Sequence, residues 1–595
     1  MIKLIKSNLF FFILLFLVVF IVYGKSINFG ITNLDDDTLV TKYVRDISNI
    51  KDIPKLFLTD CYYFKKIFQY YRPILSVSFA LEAVLFKGNL KIYHLDNIIL
   101  FALSLICIFI FLSKLNLNQS VLKFLVLLFA VHPVLSSVPV WIPARNDTLL
   151  IIFFILSLLN FINYLNTNKK IYLILYVTFF ALSLFTKETT IFLVLIYPLL
   201  SYCFNIKFTK KQFFTVLISV LCVFVVYFFL RHISVAHTDT QIYLANWKYY
   251  LKNIIFGIMI YVQNIFYPKY ISIMIYNIKP DIFTWIINIP LIVLLIIYFF
   301  ISNKEKKKII LFALSFSFIA ILPTFALKEY VFLPHRLVIS LSGILIMLSL
   351  VFESLISSFS KTKKYLVVIF IFVFILFSFC SFINIDKYKD SFTYWYNVHN
   401  EAPNYYVASI GLAAEYLNKK DFEKAKKLAL EAINLNKNIY NCMIYAKISF
   451  YKGEIELSKQ ILYQLLELNK MQYNIYSILS NIYLFEKDYT NAIECLKKML
   501  TYSNSRSIGD KIFALERLAK VYAISGNYND SLQTLLELIK YNKNSNYYFN
   551  ISLLYEDLND YDNSIFYIRK ALEIEPDNKD YIKQLENIES KLSRE

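Results

Sequence analysis

The chain has 595 residues, of which 58% are hydrophobic, and its mean hydropathy is +0.52. This apolar content exceeds what a soluble protein of this length needs and predicts a polytopic membrane protein. The formal net charge is +19, but the lysines are grouped in short segments between apolar runs, which is typical of cytoplasmic membrane loops and argues against a nucleic-acid partner.

The cysteine and glycine patterns argue against two classes of site. The seven cysteines show no CxxC pair or metal-ligand spacing, so we expect neither a disulfide framework nor a zinc site. The sequence contains no Walker loop and no GxGxxG motif, so a nucleotide bound through a phosphate loop is not expected.

The chain begins with a predicted transmembrane helix. Lys3 and Lys6 precede a long apolar run without a small-x-small cleavage site, which predicts an uncleaved helix rather than a signal peptide. A transmembrane span needs about 20 predominantly apolar residues. The eleven candidate spans are 7–24, 97–113, 121–140, 148–165, 171–186, 189–205, 213–230, 282–301, 309–326, 337–355 and 365–384.

Four lysine-rich segments orient these spans. If 169–170, 207–211, 304–308 and 361–364 are cytoplasmic, the N-terminus lies inside and the C-terminus outside. Residues 251–267 are apolar enough for a twelfth span, but counting them would move 304–308 outside. We therefore interpret them as an interfacial or re-entrant helix on the outer face. The predicted localisation is the plasma (inner) membrane, with the N-terminus cytoplasmic.

On this topology, the conspicuous polar residues of the membrane domain share the outer face. The predicted outer loops are 25–96, 141–147, 187–188, 231–281 and 327–336. An acidic pair directly after the first helix favours catalysis at a membrane surface, because a transporter usually carries its acids within the spans. The polar residues in these loops are Asp35, Asp36, Arg72, His94, Arg145, Asp147, Lys187, Glu188, Arg231, His335 and Arg336.

Beyond residue 404 the chain repeats itself every 33–39 residues, in five units. The second helix of each unit carries a small residue, namely Ala425, Ser458, Ala492, Ser531 or Ser564. Nine residues earlier stands a tyrosine in four of the five units. This recurrence is the tetratricopeptide signature and predicts an extracytoplasmic α-solenoid. The predicted domains are a membrane domain at 1–384, a linker at 385–403 and a repeat domain at 404–595.

A series of short motifs also runs along the membrane domain. They are Asp35-Asp36, Tyr71-Arg72-Pro73, Tyr93-His94-Leu95-Asp96-Asn97, His132-Pro133, Trp141, Arg145-Asn146-Asp147, Thr186-Lys187-Glu188-Thr189, Arg336, and Asp390-Ser391 ahead of Trp395. In this order, and with the repeats, the chain resembles the tetratricopeptide-containing membrane O-mannosyltransferases and their bacterial relatives in the GT-C glycosyltransferase superfamily. The resemblance implies an all-α fold, in which a polytopic GT-C-like domain precedes the solenoid.

The resemblance also implies an activity, the transfer of a hexose such as mannose from a polyprenyl-phosphate donor on the outer face. The expected acceptor is a protein Ser/Thr hydroxyl, and a surface glycan or lipid is the variant. Asp35 or Asp36 would be the base, with Asp35 favoured as the leading acid of the pair. No cofactor or metal site is predicted, although the acidic pair leaves a divalent cation open. The predicted residues for the substrate and its phosphate are Arg72, Arg145, Asp147, Lys187, Glu188, His335 and Arg336.

Three positions depart from the family pattern. Leu135 and Ser137 stand where the family often has a second His and a Glu, and His335 replaces a late Glu. These departures point to a different acceptor or to lost activity.

Every candidate also has a purely structural interpretation. The acids at 35–37 could form a solvated loop or cap a helix, and the arginines could snorkel at helix ends. Arg145 could pair with Asp147, and Lys187 with Glu188. His94 and His132 are interpreted as packing residues. The alternative function is a non-catalytic, membrane-anchored scaffold whose repeats assemble envelope proteins. In a transferase the repeats are expected to bind a protein partner or acceptor, and the alternative is that they only stabilise or oligomerise the enzyme.

Overall fold

The computed structural model describes residues 6–47, 49–61, 70–115, 117–235, 247–268, 275–276, 280–326, 331–358, 363–468, 470–503 and 508–592. Lys3, Lys361 and parts of the predicted outer loops 25–96, 231–281 and 327–336 lie outside these ranges. The all-α prediction is confirmed, because the described elements are helical apart from one short antiparallel ladder between Ile275–Tyr276 and Val331–Phe332. The chain divides into two compact units, Met1–Ala408 and Ser409–Glu595.

The first unit contains seventeen α-helices among its described residues. They are α1 (Leu9–Tyr23), α2 (Tyr43–Asp46), α3 (Pro73–Phe86), α4 (Leu90–Leu112), α5 (Gln119–Ala130), α6 (Ser137–Val140), α7 (Arg145–Thr167), α8 (Lys170–Thr186), α9 (Thr190–Leu193), α10 (Ile196–Cys203), α11 (Lys210–Ser234), α12 (Trp247–Phe266), α13 (Ile282–Ile301), α14 (Lys304–Ile321), α15 (Leu337–Ser358), α16 (Lys363–Asn384) and α17 (Ser391–Glu401). The π-helical turn Asp37–Lys42 and the 3₁₀ segments Gly24–Asn28, Ile50–Leu58, Pro133–Leu135, Ile142–Ala144, Leu322–Ala326, Pro334–Arg336 and Ile385–Tyr388 connect them.

Eight described helices are long and apolar enough to cross a membrane. A further pair, Gln119–Ala130 and Pro133–Val140, is bent by 56° and would count as a ninth span. The predicted spans at 171–186 and 189–205 correspond to shorter apolar helices. With 17 residues, α8 is about 25 Å long, which is less than the roughly 30 Å of a bilayer core. The predicted number of eleven spans therefore depends on these two short helices.

Residues 385–403, which the sequence assigns to a linker, belong to the first unit and contain α17. They are joined to the segment that follows α1. The Gly30 amide donates to the Lys389 carbonyl at 2.8 Å, and the Ser391 hydroxyl lies 3.3 Å from the Thr32 carbonyl oxygen. The chain that leaves the last apolar helix therefore returns to the backbone beside the acidic motif.

The described part of the segment after α1 is folded and packs against α3 and α4. Tyr43, Leu56, Phe79 and Tyr93 belong to one buried cluster that joins this segment to α3 and α4. The Tyr43 hydroxyl donates to the Cys61 carbonyl at 2.8 Å. Because hydrophobic burial and buried hydrogen bonds both hold this segment, its polar side chains have defined positions.

The described residues of the second unit form five helix pairs and a final single helix, and the first of these helices begins just before the unit boundary. The helices are α18 (Tyr406–Asn418), α19 (Phe422–Leu435), α20 (Ile439–Tyr451), α21 (Ile455–Leu466), α22 (Gln472–Phe485), α23 (Tyr489–Ser503), α24 (Ile508–Ile524), α25 (Tyr528–Leu538), α26 (Ser545–Asp557), α27 (Tyr561–Ile574) and α28 (Lys579–Leu592). Each turn within a pair contains one residue with positive φ, namely Lys420, Gly453, Lys487, Gly526 or Asn559.

The small residues of the second helices lie at the contact inside each pair. All five are buried. Three of them are serines that bind the first helix: Ser458, Ser531 and Ser564 donate to carbonyl oxygens twelve residues earlier at 2.7, 2.8 and 2.7 Å. The short side chains let the two backbones approach, and the hydroxyls satisfy their own hydrogen-bonding capacity there.

Candidate functional site

The acidic pair Asp35-Asp36 follows α1, and hydrogen bonds from Thr32 fix the carboxylate of Asp36. The Thr32 amide donates to Asp36 Oδ2 at 2.7 Å, and the Thr32 hydroxyl lies 3.1 Å from Oδ1. Asp36 is 1% exposed, whereas Asp35 is half-buried. Burial raises the pKa of Asp36 to about 6, and the neighbouring Asp37 and Asp35 add to this effect, while the Thr32 hydrogen bonds lower the pKa.

Thr32 connects this carboxylate to a second part of the chain. Trp141 donates from Nε1 to the Thr32 hydroxyl oxygen at 3.3 Å. The Trp141 ring lies 5.2 Å from the imidazole of His335. Burial lowers the pKa of His335 to about 3 despite the attraction of Asp147, so the imidazole is neutral at physiological pH.

Asp147 lies on the other side of His335. Its Oδ2 is 3.7 Å from His335 Nε2, and its Oδ1 accepts a hydrogen bond from Lys187 Nζ. Lys187 also lies 3.3 Å from the Asn146 side-chain oxygen. Among the described residues, Asp147 Oδ2 accepts no hydrogen bond although it is fully buried. The sequence hypothesis that paired Lys187 with Glu188 is therefore wrong, because Lys187 pairs with Asp147.

Glu188 instead binds Arg72. The Arg72 Nε donates to Glu188 Oε2 at 2.9 Å, and its Nη2 reaches the second carboxylate oxygen. Burial of the Glu188 carboxylate would raise its pKa, but the charge and hydrogen bonds of Arg72 outweigh burial and lower the pKa to about 2. This forked pair fixes both side chains in their ionised forms.

Arg336 is the one predicted cation of this group that makes no ion pair within the described ranges. Its side chain is half-buried. Burial lowers the pKa of Lys187 against the attraction of Asp147, and the charges of Arg72 and Arg336 lower it further. Three cations thus lie near one another, and two of them are neutralised by carboxylates.

Arg145 belongs to a separate buried cluster. It is 1% exposed and donates to Glu82 Oε1 at 2.6 Å, to Asn97 Oδ1 at 2.8 Å and to the Tyr93 carbonyl at 3.0 Å. Asn97 in turn donates to the Trp141 carbonyl at 3.1 Å. Arg145 does not pair with Asp147, which corrects the structural interpretation of these two residues. Instead, its cluster contacts the Trp141 backbone through Asn97.

The histidines at 94 and 132 make the packing contacts that the sequence suggested. His94 Nε2 lies 3.3 Å from the Gly30 carbonyl oxygen, and His132 Nε2 lies 3.0 Å from that of Ile265. Within the described ranges, no group of three or more His, Cys, Asp or Glu side chains is arranged to hold a metal ion.

Sequence reasoning missed two residues of this region, Thr32 and Glu82. Thr32 carries no motif signal, because its role arises from contacts with Asp36 and Trp141. Glu82 was detectable as the single acid in the apolar helix α3, where a buried carboxylate requires a partner.

A family model for the tetratricopeptide repeat matches residues 473–505 and 545–578. The second unit is built of tetratricopeptide repeats. The two matches fall on the third and fifth repeats, which begin at α22 and α26. No curated protein matches this chain.

Solved structures resemble the chain over about a third of its length. One chain of the APC/C hetero-tetramer Cut9-Hcn1 has 16% identity over 36% of this chain and 42% of its own length, with a TM-score of 0.28. The chain thus spans less than half of that protein. MamA from Desulfovibrio magneticus RS-1 has 11% identity over 29% of this chain and 97% of its own, at 0.25. Pseudomonas aeruginosa pilF has 13% identity over 33% and 86%, at 0.27.

Proposed function

We propose that this protein is an integral membrane glycosyltransferase that moves a hexose from a polyprenyl phosphate to an acceptor hydroxyl on the outer face of the plasma membrane. One observation carries the proposal. Residues far apart in sequence form a continuous series of contacts from Asp36 through Thr32, Trp141, His335 and Asp147 to Lys187. A group of acids and cations at the ends of apolar helices suits a substrate with a lipid tail and a charged phosphate.

The reaction needs a base and a stabilised leaving group. The acceptor hydroxyl attacks C1 of the sugar, and its proton passes to a carboxylate of the Asp35-Asp36 pair. The bond from C1 to the phosphate oxygen breaks, and the electron pair leaves with the phosphate. Positioned general-base catalysis contributes about 10²–10⁴-fold. Asp35 is the better candidate for proton transfer, since Asp36 is buried and held by Thr32.

The charge balance supports Arg336 as the residue that would bind the leaving phosphate. Lys187 is neutralised by Asp147, and Arg72 by Glu188. Arg336 makes no ion pair within the described ranges, and its planar guanidinium suits two phosphate oxygens. The charges of Arg72 and Lys187 would then contribute to the electrostatic field around Arg336.

His335 fits this assignment although it departs from the family pattern. A glutamate at this position would put a second carboxylate beside Asp147, whereas a neutral imidazole leaves the balance of charge unchanged. Leu135 and Ser137 are both buried, and the Ser137 carbonyl accepts a hydrogen bond from the Trp141 amide. These differences favour an acceptor unlike that of the related enzymes.

The second candidate function is a scaffold. Tetratricopeptide repeats generally present surfaces for protein binding, and this alone supports a membrane-anchored protein that gathers envelope proteins without catalysis. In the transferase proposal the same repeats recruit a protein acceptor.

Mass spectrometry of envelope glycoproteins and glycolipids separates the two functions. Wild type is compared with a deletion strain complemented by Asp35→Asn, Asp36→Asn or the double variant at matched expression. Asp37→Asn is the control, because Asp37 binds the adjacent Thr38 amide. Loss of a hexose-sized mass that only the wild type and the control restore supports the transferase. Full restoration by the double variant supports the scaffold.

A further inference from the structure

The motif Asp390-Ser391, which the transfer reaction above does not use, begins the helix α17. Asp390 caps this helix, because its carboxylate accepts a hydrogen bond from the Thr393 amide at 2.8 Å. The Ser391 hydroxyl lies 3.3 Å from the Thr32 carbonyl oxygen. The motif therefore fixes the start of α17 beside the residue that binds Asp36.

One face of α17 is buried, and its residues recur at helical spacing. They are Ser391, Tyr394, Trp395 and Val398. Residues three apart on a helix are neighbours on its surface, so Tyr394 lies one turn beyond Ser391 on the face that contacts Thr32. The ring centroids of Tyr388 and Trp395 lie 5.7 and 5.3 Å from that of Tyr394. Tyr394 is therefore held on the side of α17 that meets the acidic segment.

The Tyr394 hydroxyl lies within electrostatic reach of both acids of the pair. Burial is the largest of the effects that raise the pKa of this phenol, and Tyr388 adds to it. The negative charges of Asp36 and Asp35 raise the pKa further, which requires that the phenol lies near them. Tyr394 consequently keeps its proton at physiological pH, and its hydroxyl can donate a hydrogen bond, which an ionised carboxylate cannot.

Among the described residues, the Tyr394 hydroxyl makes no hydrogen bond, although the side chain is 1% exposed. Buried hydroxyls usually have a partner, as that of Tyr43 has in the Cys61 carbonyl at 2.8 Å. In the same described part of the chain, the hydroxyls of Tyr93 and Tyr176 also lack one. What distinguishes Tyr394 from these two is its closeness to the acidic pair. Its hydroxyl is therefore available to a ligand that also contacts the acids.

We propose that the Tyr394 hydroxyl binds a hydroxyl group of a substrate, a role that rests on the proposed transferase function. A substrate hydroxyl carries one proton and two lone pairs, so it can donate to the Asp35 carboxylate and accept from Tyr394 at the same time. Both the acceptor and the sugar of the donor offer such a group. The helix that follows the last apolar helix therefore contributes a side chain to substrate binding.

Steady-state transfer by the full chain in proteoliposomes tests this role, with a polyprenyl-phosphate hexose as donor and a Ser/Thr peptide as acceptor. Tyr394→Phe keeps the ring and removes the hydroxyl, and the loss of one hydrogen bond to an uncharged group should raise KM about threefold to tenfold. A rise in the KM of the peptide identifies the acceptor hydroxyl, and a rise in the KM of the donor identifies a sugar hydroxyl. Tyr396→Phe is the control, because Tyr396 lies on the same helix and is 47% exposed.

Thermal unfolding in nanodiscs separates substrate binding from a structural role. Because the Tyr394 hydroxyl has no hydrogen-bond partner among the described residues, Tyr394→Phe should unfold at the wild-type temperature. Tyr43→Phe removes a buried hydroxyl that donates to the Cys61 carbonyl, so it should lower the unfolding temperature and leave both KM values unchanged. An equal loss of stability in the two variants would overturn the proposal.

Two kinetic results would also overturn it. They are unchanged constants for both substrates, and a fall in kcat with both KM values unchanged, which would indicate an effect on the acidic pair alone. If the wild type itself transfers no sugar, the transferase function fails and the role of Tyr394 fails with it. Wild-type transfer with unchanged constants for Tyr394→Phe contradicts the role of Tyr394 alone.

Discussion

Thr32 holds the Asp36 carboxylate with its amide at 2.7 Å and its hydroxyl at 3.0 Å from the same oxygen, while the hydroxyl oxygen accepts from Trp141. A residue outside every sequence motif thus joins the acidic pair to the rest of the candidate site. The hydrogen bond from the Thr32 hydroxyl to Asp36 predicts the effect of removing that hydroxyl.

Thr32→Val removes the hydroxyl and keeps the amide. Because a hydrogen bond to the ionised carboxylate lowers its pKa, we expect the pKa of Asp36 to rise from about 6. With Asp35 as the proposed base, we expect transfer to need the neighbouring Asp36 in its ionised form, so the wild-type rate should fall as the pH drops through about 6. In the variant this fall should move to higher pH by roughly one unit. A pH–rate profile measures the shift. Thr38→Val, which removes a hydroxyl from Asp37 instead, should leave the profile unchanged.

The pair between Glu82 and Arg145 predicts a stability effect. Both side chains are buried, so Glu82→Gln leaves Arg145 without a counter-charge and should cost about 3 kcal/mol of unfolding free energy. Chemical denaturation in detergent measures this loss. Glu589→Gln breaks an exposed pair and should cost less than about 1 kcal/mol. Equal effects of the two variants would contradict a structural role for Glu82.

Arg336→Gln tests the assignment of the leaving phosphate. Loss of a preorganised cation that faces developing charge costs about 10²–10³-fold in kcat, and we expect a loss of this size. Arg231→Gln, another arginine of the predicted outer loops, should keep most of the rate. The donor-dependent transfer rate of the two purified variants decides the matter, and equal rates would remove Arg336 from the site.

Gly343 sets the contact between α14 and α15. A Cβ atom at this position would overlap the Ala313 carbonyl oxygen and the Ser317 side chain, and small residues allow such close helix approach. Gly343→Ala should therefore destabilise the protein by about 1–3 kcal/mol. Ser349→Ala on the same helix removes a hydroxyl and adds no volume, and it should be nearly neutral. Thermal unfolding in nanodiscs compares them.

The repeats could be predicted from the sequence because their contacts are local. Each small residue, such as Ser531, meets a helix that lies twelve residues earlier, so spacing alone specifies the contact. The apolar helices of the first unit were similarly visible as runs of hydrophobic residues. The bounds of α8 agree with the predicted span 171–186, whereas the division of the predicted span 189–205 into α9 and α10 was not visible in the sequence.

The candidate site could be predicted only as a set of residues. Thr32 and Trp141 are separated by 109 positions, and Thr32 and Ser391 by 359. A periodic sequence pattern does not indicate contacts between residues so far apart. The prediction therefore paired Lys187 with its neighbour Glu188, although its partner is Asp147. Lys187 and Glu188 are adjacent but bind different partners, because their side chains point in directions that the tertiary fold determines.

The central claim is that the Asp35-Asp36 pair makes this protein a sugar transferase. The most direct measurement reconstitutes the purified full chain in proteoliposomes with a polyprenyl-phosphate hexose and follows release of the polyprenyl phosphate together with the sugar on an added Ser/Thr peptide or envelope glycan. We expect sugar transfer by the wild type and by Asp37→Asn, and no transfer by the Asp35→Asn/Asp36→Asn double variant. Turnover by the double variant at the wild-type rate would contradict it.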